Sequence, residues 1–423
     1  MNNSATIQFT KDQPLTNPIC IDLPASKSIS NRLLMLKHLY FPQLIIQNLS
    51  GANDTQLMQR ALLDLKEAKT IDVEDAGTVA RFILAAALFS EKELIITGTE
   101  RMQARPIEEL IEVLKTLGAS ITFIKKDLKL PFKITGISSK IKHTSNIQLS
   151  ISTTKSSQFL SAILMIAPQL NQKVTIQLSG ERNSWSYVEM TIQIMRSFGF
   201  IIDLNENTIV IEPFIPHLDI KTYKIENDWS AASFMVEILS HLPANTAFLF
   251  NNLHLSAISL QGDAVLSLWA QDLNLEYNFT NNNSIFEVIK SAVPFPERSF
   301  KNNPDLALPY LMSMVLQKKI FTIHHVESLQ FKESDRMAAI KEELFKCNVH
   351  FTQCATGYII DASLLEVKPY TEFNSHKDHR IAMSLAPLAM FAPITILNPE
   401  VVNKSFPMYW DVLRKLNFEV IYN

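Results

Sequence analysis

Apolar stretches that lack a polar face recur six times along the chain, and each opens with a small or charged cluster. A helix with apolar side chains on nearly all of its faces is usually buried inside a large core. The pattern therefore predicts six buried helices, which begin near Ser28, Thr78, Ser156, Ser230, Asp305 and Asp378.

Amphipathic segments alternate with the buried ones, and each leads into a short strand. Apolar residues at helical spacing are followed by a break and then by alternating apolar and polar residues. The clearest copies begin near Ile107, Val188 and Met337. Their breaks lie at Gly118, Gly199 and Asn348. Weaker copies begin near Leu57, Ala264 and Tyr409. Each unit is therefore predicted to combine a buried helix, an amphipathic helix and a sheet.

The buried helices recur at roughly 75-residue intervals after the first, which is typical of duplicated structure. With 423 residues, 47% of them hydrophobic, the chain exceeds what one hydrophobic core usually holds. We predict an α/β protein of two domains with three units each and a crossover near Glu226 to Trp229. The predicted domains are residues 1–24 with 227–423, and residues 25–226.

Composition and charge exclude several classes of partner. The 39 basic and 42 acidic residues give a net charge of -3, whereas nucleic acids and anionic membranes favour a basic excess. Three cysteines without CxxC spacing are typical of reduced cytosolic thiols. Met1–Pro14 lacks the apolar core of a signal peptide, and runs such as Phe159–Pro168 are too short to span a bilayer. We predict a cytoplasmic protein with no nucleic-acid or membrane partner.

The start of the first buried helix has the residues of an anion site. Ser28 is a candidate N-cap, and free N–H groups at a helix start attract negative charge. Arg32 lies one turn further on and Lys27 stands just outside, so both can reach the same anion. Capped helices with solvated charges are common, and this motif alone does not distinguish the two interpretations.

Similar motifs occur at equivalent places in the other units. Gly77 permits close backbone approach and Thr78 is a candidate cap, while Arg105 precedes Pro106 at a predicted first helical position. The remaining motifs are Lys155–Gln158, Lys332–Arg336 and Asp378–Arg380. Each alone could be an ordinary turn or a solvated helix start. Convergent helix starts with Arg and Lys predict a site for a phosphorylated ligand.

The chain resembles the 5-enolpyruvylshikimate-3-phosphate synthase family over essentially its whole length. The matching motifs, in the family's order, are LPASKSISNR, AGTVAR, RPI, SSQFLSAILMIAP, DWSAASF, PDLA, KESDR, DHRIAM and NKSFP. The resemblance implies a two-domain enolpyruvyl transferase fold, an inside-out α/β barrel with three repeated units per domain and substrates held between the domains. It also implies transfer of the enolpyruvyl group of phosphoenolpyruvate to the 5-hydroxyl of shikimate 3-phosphate.

Residue roles also follow from the resemblance. It implies a monomer that uses no cofactor and no metal, with most shikimate 3-phosphate contacts in residues 25–226 and the acid–base carboxylates in the other domain. The implied catalytic residues are Lys27, Asp305 and Glu333. The implied phosphoenolpyruvate contacts are Lys27, Gly77, Arg105, Gln158, Lys332, Arg336, Arg380 and Lys404. The implied shikimate 3-phosphate contacts are Lys27, Ser28, Arg32, Ser156, Ser157, Gln158, Ser184, Tyr187, Asp305, Ser328 and Lys332.

Three positions depart from the family pattern. Asp75 stands where Asn is usual, Phe82 replaces a Pro that is common after the matching Arg, and Ser328 replaces an Asn. Lys155 is an extra cation that could offset Asp75. These differences bear on turnover more than on the class of reaction.

Other functions remain to be weighed. The sister enzyme that acts on UDP-N-acetylglucosamine typically carries a cysteine in a loop where Thr97–Ile107 has none. RNA 3'-phosphate cyclase, which shares a repeated unit, would need a nucleotide-linked His and a more basic face. A binding module without catalysis would not need Lys27, Asp305 and Glu333 together.

Overall fold

The computed structural model divides the chain into two units. The terminal unit contains Met1–Ser26 and Glu226–Asn423, and the inserted unit contains Lys27–Ile225. The structure describes residues 3–10, 16–67, 70–125, 129–137, 146–154, 156–214, 220–289 and 297–423. The sequence motif that begins at Lys155 therefore has its first residue outside the described part.

The described helices are named in chain order. They are α1 Lys27–Leu39, α2 Asn53–Glu67, α3 Gly77–Ala86, α4 Glu100–Ala104, α5 Glu108–Thr116, α6 Ser157–Ile166, α7 Trp185–Ser197, α8 Trp229–Leu239, α9 Ala307–Leu316, α10 Arg336–Phe345, α11 His379–Leu385 and α12 Tyr409–Lys415. The 3-10 segments are Ala87–Phe89, Ala167–Leu170, Gly262–Leu273, Pro304–Leu306, Glu327–Phe331, Ala386–Met390 and Pro399–Lys404. The segment predicted as an amphipathic helix near Ala264 is thus a 3-10 segment, a correction to the helix type.

The described strands are named in the same way. They are β1 Ser4–Phe9, β2 Ile19–Ile21, β3 Ile45–Gln47, β4 Thr70–Asp72, β5 Leu94–Thr97, β6 Ser120–Phe123, β7 Phe132–Thr135, β8 Ile147–Ser152, β9 Val174–Ser179, β10 Ile202–Leu204, β11 Thr208–Ile211, β12 Thr222–Lys224, β13 Ala247–Asn251, β14 Leu275–Thr280, β15 Asn283–Val288, β16 Glu297–Ser299, β17 Ile320–His324, β18 His350–Cys354, β19 Gly357–Asp361, β20 Thr371–Asn374, β21 Ile394–Leu397 and β22 Phe418–Tyr422.

One strand pattern repeats through both units. The four-stranded sheets have the orders β4-β5-β7-β6, β8-β9-β11-β10, β2-β13-β15-β14, β16-β17-β19-β18 and β20-β21-β1-β22. In each sheet the first two strands are parallel and the rest pair antiparallel. The two-stranded sheet β12-β3 is also parallel. These repeats confirm the prediction of duplicated α/β units. Among the described residues the sheets stay separate, and each keeps two edge strands.

Burial follows the hydrophobic pattern from which the elements were predicted. All ten residues of α9 are buried, and nine of the ten residues of α3 are buried. Strand β8 alternates instead, because Ile147, Leu149 and Ile151 share one face of the strand. In the terminal unit α9 packs against α8 and α11, and in the inserted unit α3 packs against α1 and α6. No helix in the described ranges is long and apolar enough to cross a membrane.

The backbone confirms the predicted ends of three amphipathic helices. Some of the predicted helix N-caps, however, are wrong. Gly118, Gly199 and Asn348 all have positive φ angles, as is common where a helix ends. Ser28 does not cap its helix, because α1 already begins at Lys27. The preceding chain is held by an isolated bridge between Ala25 and Asn227 and by a backbone bond from Ser26 to Glu226.

Two further local predictions also need correction. Ala76 occupies the N-cap position of α3, so Thr78 lies inside the helix and its hydroxyl accepts a bond from the Gln158 side chain instead. Pro106 is not the first residue of α5, because Ile107 holds the N-cap position and Glu108 begins the helix.

Candidate active site

The inserted unit contains a buried arginine. Arg32 of α1 is 3% exposed. Its Nε donates to Thr191 Oγ1 over 2.7 Å, and its Nη atoms donate to the Ser28 carbonyl at 2.9 Å and the Tyr187 carbonyl at 3.0 Å. The ring of Phe82 lies below the guanidinium, 5.6 Å from centre to Cζ. Phe82, a departure from the family pattern, therefore packs against an implied substrate-binding residue.

The partners of Arg32 are neutral. Within the described ranges its bonds run to hydroxyls and carbonyl oxygens, and it has no carboxylate partner. Burial lowers the pKa of Arg32 to about 10, partly opposed by Tyr187. A buried cation without a counter-ion favours the binding of an anion.

Other implied residues of the inserted unit lie at helix starts. Lys27, the first residue of α1, forms an ion pair of 3.1 Å with Asp54, which lies in the first turn of α2. Asp54 was not among the sequence-predicted residues, since its contact joins positions far apart in the chain. Ser156 caps α6 by accepting from the Gln158 backbone N–H, and Ser157 begins that helix.

Gly77 lies directly against the side chain of Arg105. A Cβ atom added at Gly77 would lie only 2.5 Å from Arg105 Nη2. Arg105 Nη1 also donates to the Asp75 carbonyl over 3.2 Å. The guanidinium therefore lies flat against the first turn of α3. Sequence analysis named both residues but had no means of placing one against the other.

Ser184 holds an uncommon backbone conformation. It stands at the N-cap of α7 with φ 55° and ψ 37°, a left-handed conformation that few residues other than glycine, Asn or Asp adopt. Such strained residues cluster at functional sites. Its carbonyl accepts a bond from the Tyr187 N–H.

In the terminal unit, implied residues form one ion-pair network around Arg336. This arginine, 2% exposed, contacts Asp305 at 3.2 Å, Glu333 at 2.6 Å and Asp378 at 2.8 Å. Burial alone would lower its pKa, but the three carboxylates raise the pKa above its ordinary value. The structure thus brings Asp305 and Glu333 onto the same guanidinium.

Two more cations border the same network. Arg380 contacts Asp305 Oδ2 at 3.1 Å and donates to its carbonyl over 2.8 Å. Lys332 Nζ lies 3.6 Å from Asp305 Oδ1. Burial lowers the pKa of Lys332, whereas the charge of Asp305 opposes that change.

Asp378 binds several members of this network. It is fully buried, caps α11 by accepting from the Arg380 N–H, and accepts from Ser334 over 3.0 Å. Its motif was noted in the sequence, but its role as the structural counter-ion of Arg336 was missed. Ser328 lies in the segment Glu327–Phe331 and is not joined to this network by a hydrogen bond among the described residues. Lys404 ends the segment Pro399–Lys404 and is buried.

A separate group, Glu342, Glu343 and His376, places three possible ligand atoms within 4.8 Å of one another. Glu343, however, already accepts from Lys346 Nζ over 2.6 Å and from the Asn374 backbone N–H over 2.9 Å. The lysine charge opposes a metal ion at this carboxylate.

Comparisons with known proteins identify the family of the chain. The family model for EPSP synthase (3-phosphoshikimate 1-carboxyvinyltransferase) matches residues 64–413. A 3-phosphoshikimate 1-carboxyvinyltransferase from Bacteroides fragilis (strain YCH46) is 33% identical over 415 residues, covering 95% of each chain. The one from Aliivibrio salmonicida is 30% identical and covers 94% of this chain and 96% of its own.

Solved structures show the same fold. The EPSP synthase from Acinetobacter baumannii aligns with a TM-score of 0.74 and 18% identity, covering 99% of both chains. The enolpyruvyl transferase NikO from Streptomyces tendae aligns with a TM-score of 0.69 and 11% identity, covering 100% of this chain and 99% of its own. The enolpyruvyl transferase fold is thereby confirmed, and by the match of its sequence over more than half its length the chain belongs to the EPSP synthase family.

Proposed function

We propose that this protein transfers the enolpyruvyl group of phosphoenolpyruvate to the 5-hydroxyl of shikimate 3-phosphate and releases phosphate, as a step of the shikimate pathway. Membership of the EPSP synthase family carries the proposal. The pairing of Asp305 and Glu333 with one arginine supports it, because the reaction needs two proton-transfer groups. The UDP-N-acetylglucosamine reaction is not favoured by these comparisons.

The proposed proton transfers balance over two steps. Asp305 accepts the hydroxyl proton as the oxygen attacks C2, while a protonated Glu333 gives a proton to C3. Glu333 then takes a proton back from C3 as the C–O bond to phosphate breaks. The proton held by Asp305 passes to the leaving phosphate, whose charge Lys27 stabilises, so both carboxylates return to their starting states. Arg336 holds both carboxylates in place throughout.

Binding roles extend the proposal to both units. Shikimate 3-phosphate is held mainly by residues 25–226, with the buried charge of Arg32 facing its phosphate. Phosphoenolpyruvate, a smaller anion, is held by cations that include Arg105, Arg336, Arg380 and Lys404. We propose that the protein works as a cytoplasmic monomer on these small-molecule substrates.

The purified protein is expected to release phosphate from phosphoenolpyruvate only when shikimate 3-phosphate is present. A colorimetric assay of phosphate release, run with a chelator present and no added metal, tests this expectation. UDP-N-acetylglucosamine, tested in parallel, serves as the control substrate. Turnover with the control alone would assign the protein to the sister reaction.

Gly77→Ala is expected to raise the KM for phosphoenolpyruvate about tenfold or more, since the added methyl would displace Arg105, and losing a hydrogen bond to a charged group has about this effect. The KM for shikimate 3-phosphate should change little. Initial-rate kinetics with each substrate varied in turn measure both constants. Gly51→Ala is the matched control, because a Cβ there meets nothing within 4 Å. Equal kinetics for the two variants would contradict the role of Gly77.

A further inference from the structure

Asp263 is a buried carboxylate that no sequence motif singled out. It is the second residue of the segment Gly262–Leu273 and is 5% exposed. Ser230 Oγ donates to its Oδ2 over 2.5 Å, and Asn303 Nδ2 donates to its Oδ1 over 3.3 Å. Both carboxylate oxygens are therefore held by neutral side chains.

Ser230 connects Asp263 to the network around Arg336. Arg380 Nη2 lies 3.2 Å from Ser230 Oγ and also 3.1 Å from Asp305 Oδ2. A serine hydroxyl has a single proton to donate. Because Ser230 donates that proton to Asp263, its oxygen is left to accept from Arg380. Asp263 thus determines which way the hydroxyl faces.

We infer that Asp263 is a positioning residue for phosphoenolpyruvate, which, through Ser230, holds the guanidinium of Arg380 in the orientation that binds this substrate. The inference rests on the proposed function for the identity of the ligand. The series of contacts from Asp263 through Ser230 and Arg380 to Asp305 rests on the hydrogen bonds and distances alone.

The buried charge of Asp263 lowers the stability of the folded protein, and this favours a functional role for the residue. Burial, followed by the negative charge of Asp305, raises the pKa of Asp263 to about 6, while bonds from Ser230 and Asn303 and the charge of Arg380 oppose the rise. Its carboxyl is therefore protonated more readily in the folded chain than in the unfolded one. Below pH 3.8, the pKa of the unfolded chain, the carboxyl is protonated in both states and the fold is not destabilised. Above about pH 6 it is charged in both states, and the destabilisation reaches its full size. Groups that lower stability are commonly retained where activity depends on them.

Asp263→Asn keeps the size of the side chain and removes its charge. We expect the KM for phosphoenolpyruvate to rise about tenfold, with the KM for shikimate 3-phosphate within about twofold of the wild-type value. The melting temperature at pH 8 should rise, because a buried charge is lost. Ser230→Ala should raise the same KM, and Ser230→Thr, which keeps the hydroxyl, should restore it.

Matched controls come from the same segment. Asp272→Asn removes another buried carboxylate, one that pairs with Arg298. Ser267→Ala removes a hydroxyl that donates to the nearby Ala264 carbonyl. Both should leave the KM for phosphoenolpyruvate unchanged, and Asp272→Asn should lower the melting temperature. An unchanged KM in Asp263→Asn, or an equal rise for both substrates with a lower melting temperature, would overturn the inference.

A crystal structure of Asp263→Asn separates this inference from the proposed function. A guanidinium of Arg380 turned away from Ser230 supports the positioning role, and one that keeps its contact at 3.2 Å overturns it. This result is obtained without any substrate. If the wild-type protein fails to turn over the two substrates, the proposed function falls, while the crystal structure still decides whether Asp263 orients Arg380.

Discussion

Asp305→Asn and Glu333→Gln are each expected to lower kcat about 100-fold or more, because each keeps its size and loses proton transfer. The KM for shikimate 3-phosphate should change far less, since other residues are proposed to hold its phosphate. Steady-state kinetics measure both constants, and single-turnover experiments with rapid quench show whether the chemical step is the one that slows. Arg336 pairs with three carboxylates, those of Asp305, Glu333 and Asp378. Replacing Asp305 or Glu333 therefore leaves the arginine with two carboxylate partners.

Glu327→Gln is the matched control for these two variants. Glu327 is an exposed carboxylate in the segment that precedes Glu333, and its replacement should leave kcat unchanged. Thermal unfolding of all three variants separates loss of chemistry from loss of structure. Near-normal kcat in both Asp305→Asn and Glu333→Gln would rule out the proposed acid–base pair.

The fold could be predicted from the sequence because its signals are local and repeated. Burial on all faces of α9 and α3 follows directly from their composition. Similar helix and strand patterns also recur from repeat to repeat along the chain. The starts of α6 and α11 were placed correctly, because Ser156 and Asp378 bind the adjacent backbone N–H groups. Elements of this kind depend on a few neighbouring residues.

The errors at helix starts came from contacts between segments. Ser28 and Thr78 have the composition of caps, but distant residues fix the chain at both positions. The Ser26 N–H bonds to the Glu226 carbonyl, and the Thr78 hydroxyl bonds to Gln158, 80 residues away. A local pattern does not contain these partners.

The members of the candidate site that were missed share the same cause. Asp263 binds Ser230 across 33 positions, and Asp54 binds Lys27 across 27. Each acidic residue looks like an ordinary polar helix start in the sequence. One signal was present for Asp263: Gln261, Gly262 and Asp263 open an apolar segment in the same way as the motifs that were recognised.

Arg32→Met is expected to raise the KM for shikimate 3-phosphate about 100-fold or more, since it removes a buried charge-assisted contact to the proposed phosphate. Methionine fills a similar volume without charge. The free energy of unfolding at pH 7 should nevertheless rise. Burial lowers the pKa of Arg32 to about 10, so keeping the arginine charged lowers the stability of the folded protein. This cost is present at every pH below about 10.

The hydrogen-bond partners of Arg32 explain why its loss should not unfold the protein. The Tyr187 carbonyl also accepts from Thr191 over 2.9 Å, and Thr191 Oγ1 lies 3.0 Å from Ser161 Oγ. These groups therefore stay bonded when the guanidinium is removed. Arg196→Met, at an exposed position near the end of α7, is the control and should leave the KM unchanged. Urea unfolding and isothermal titration with shikimate 3-phosphate give the two quantities. A variant that binds this ligand normally, or that loses stability together with binding, would show that Arg32 holds the fold rather than the phosphate.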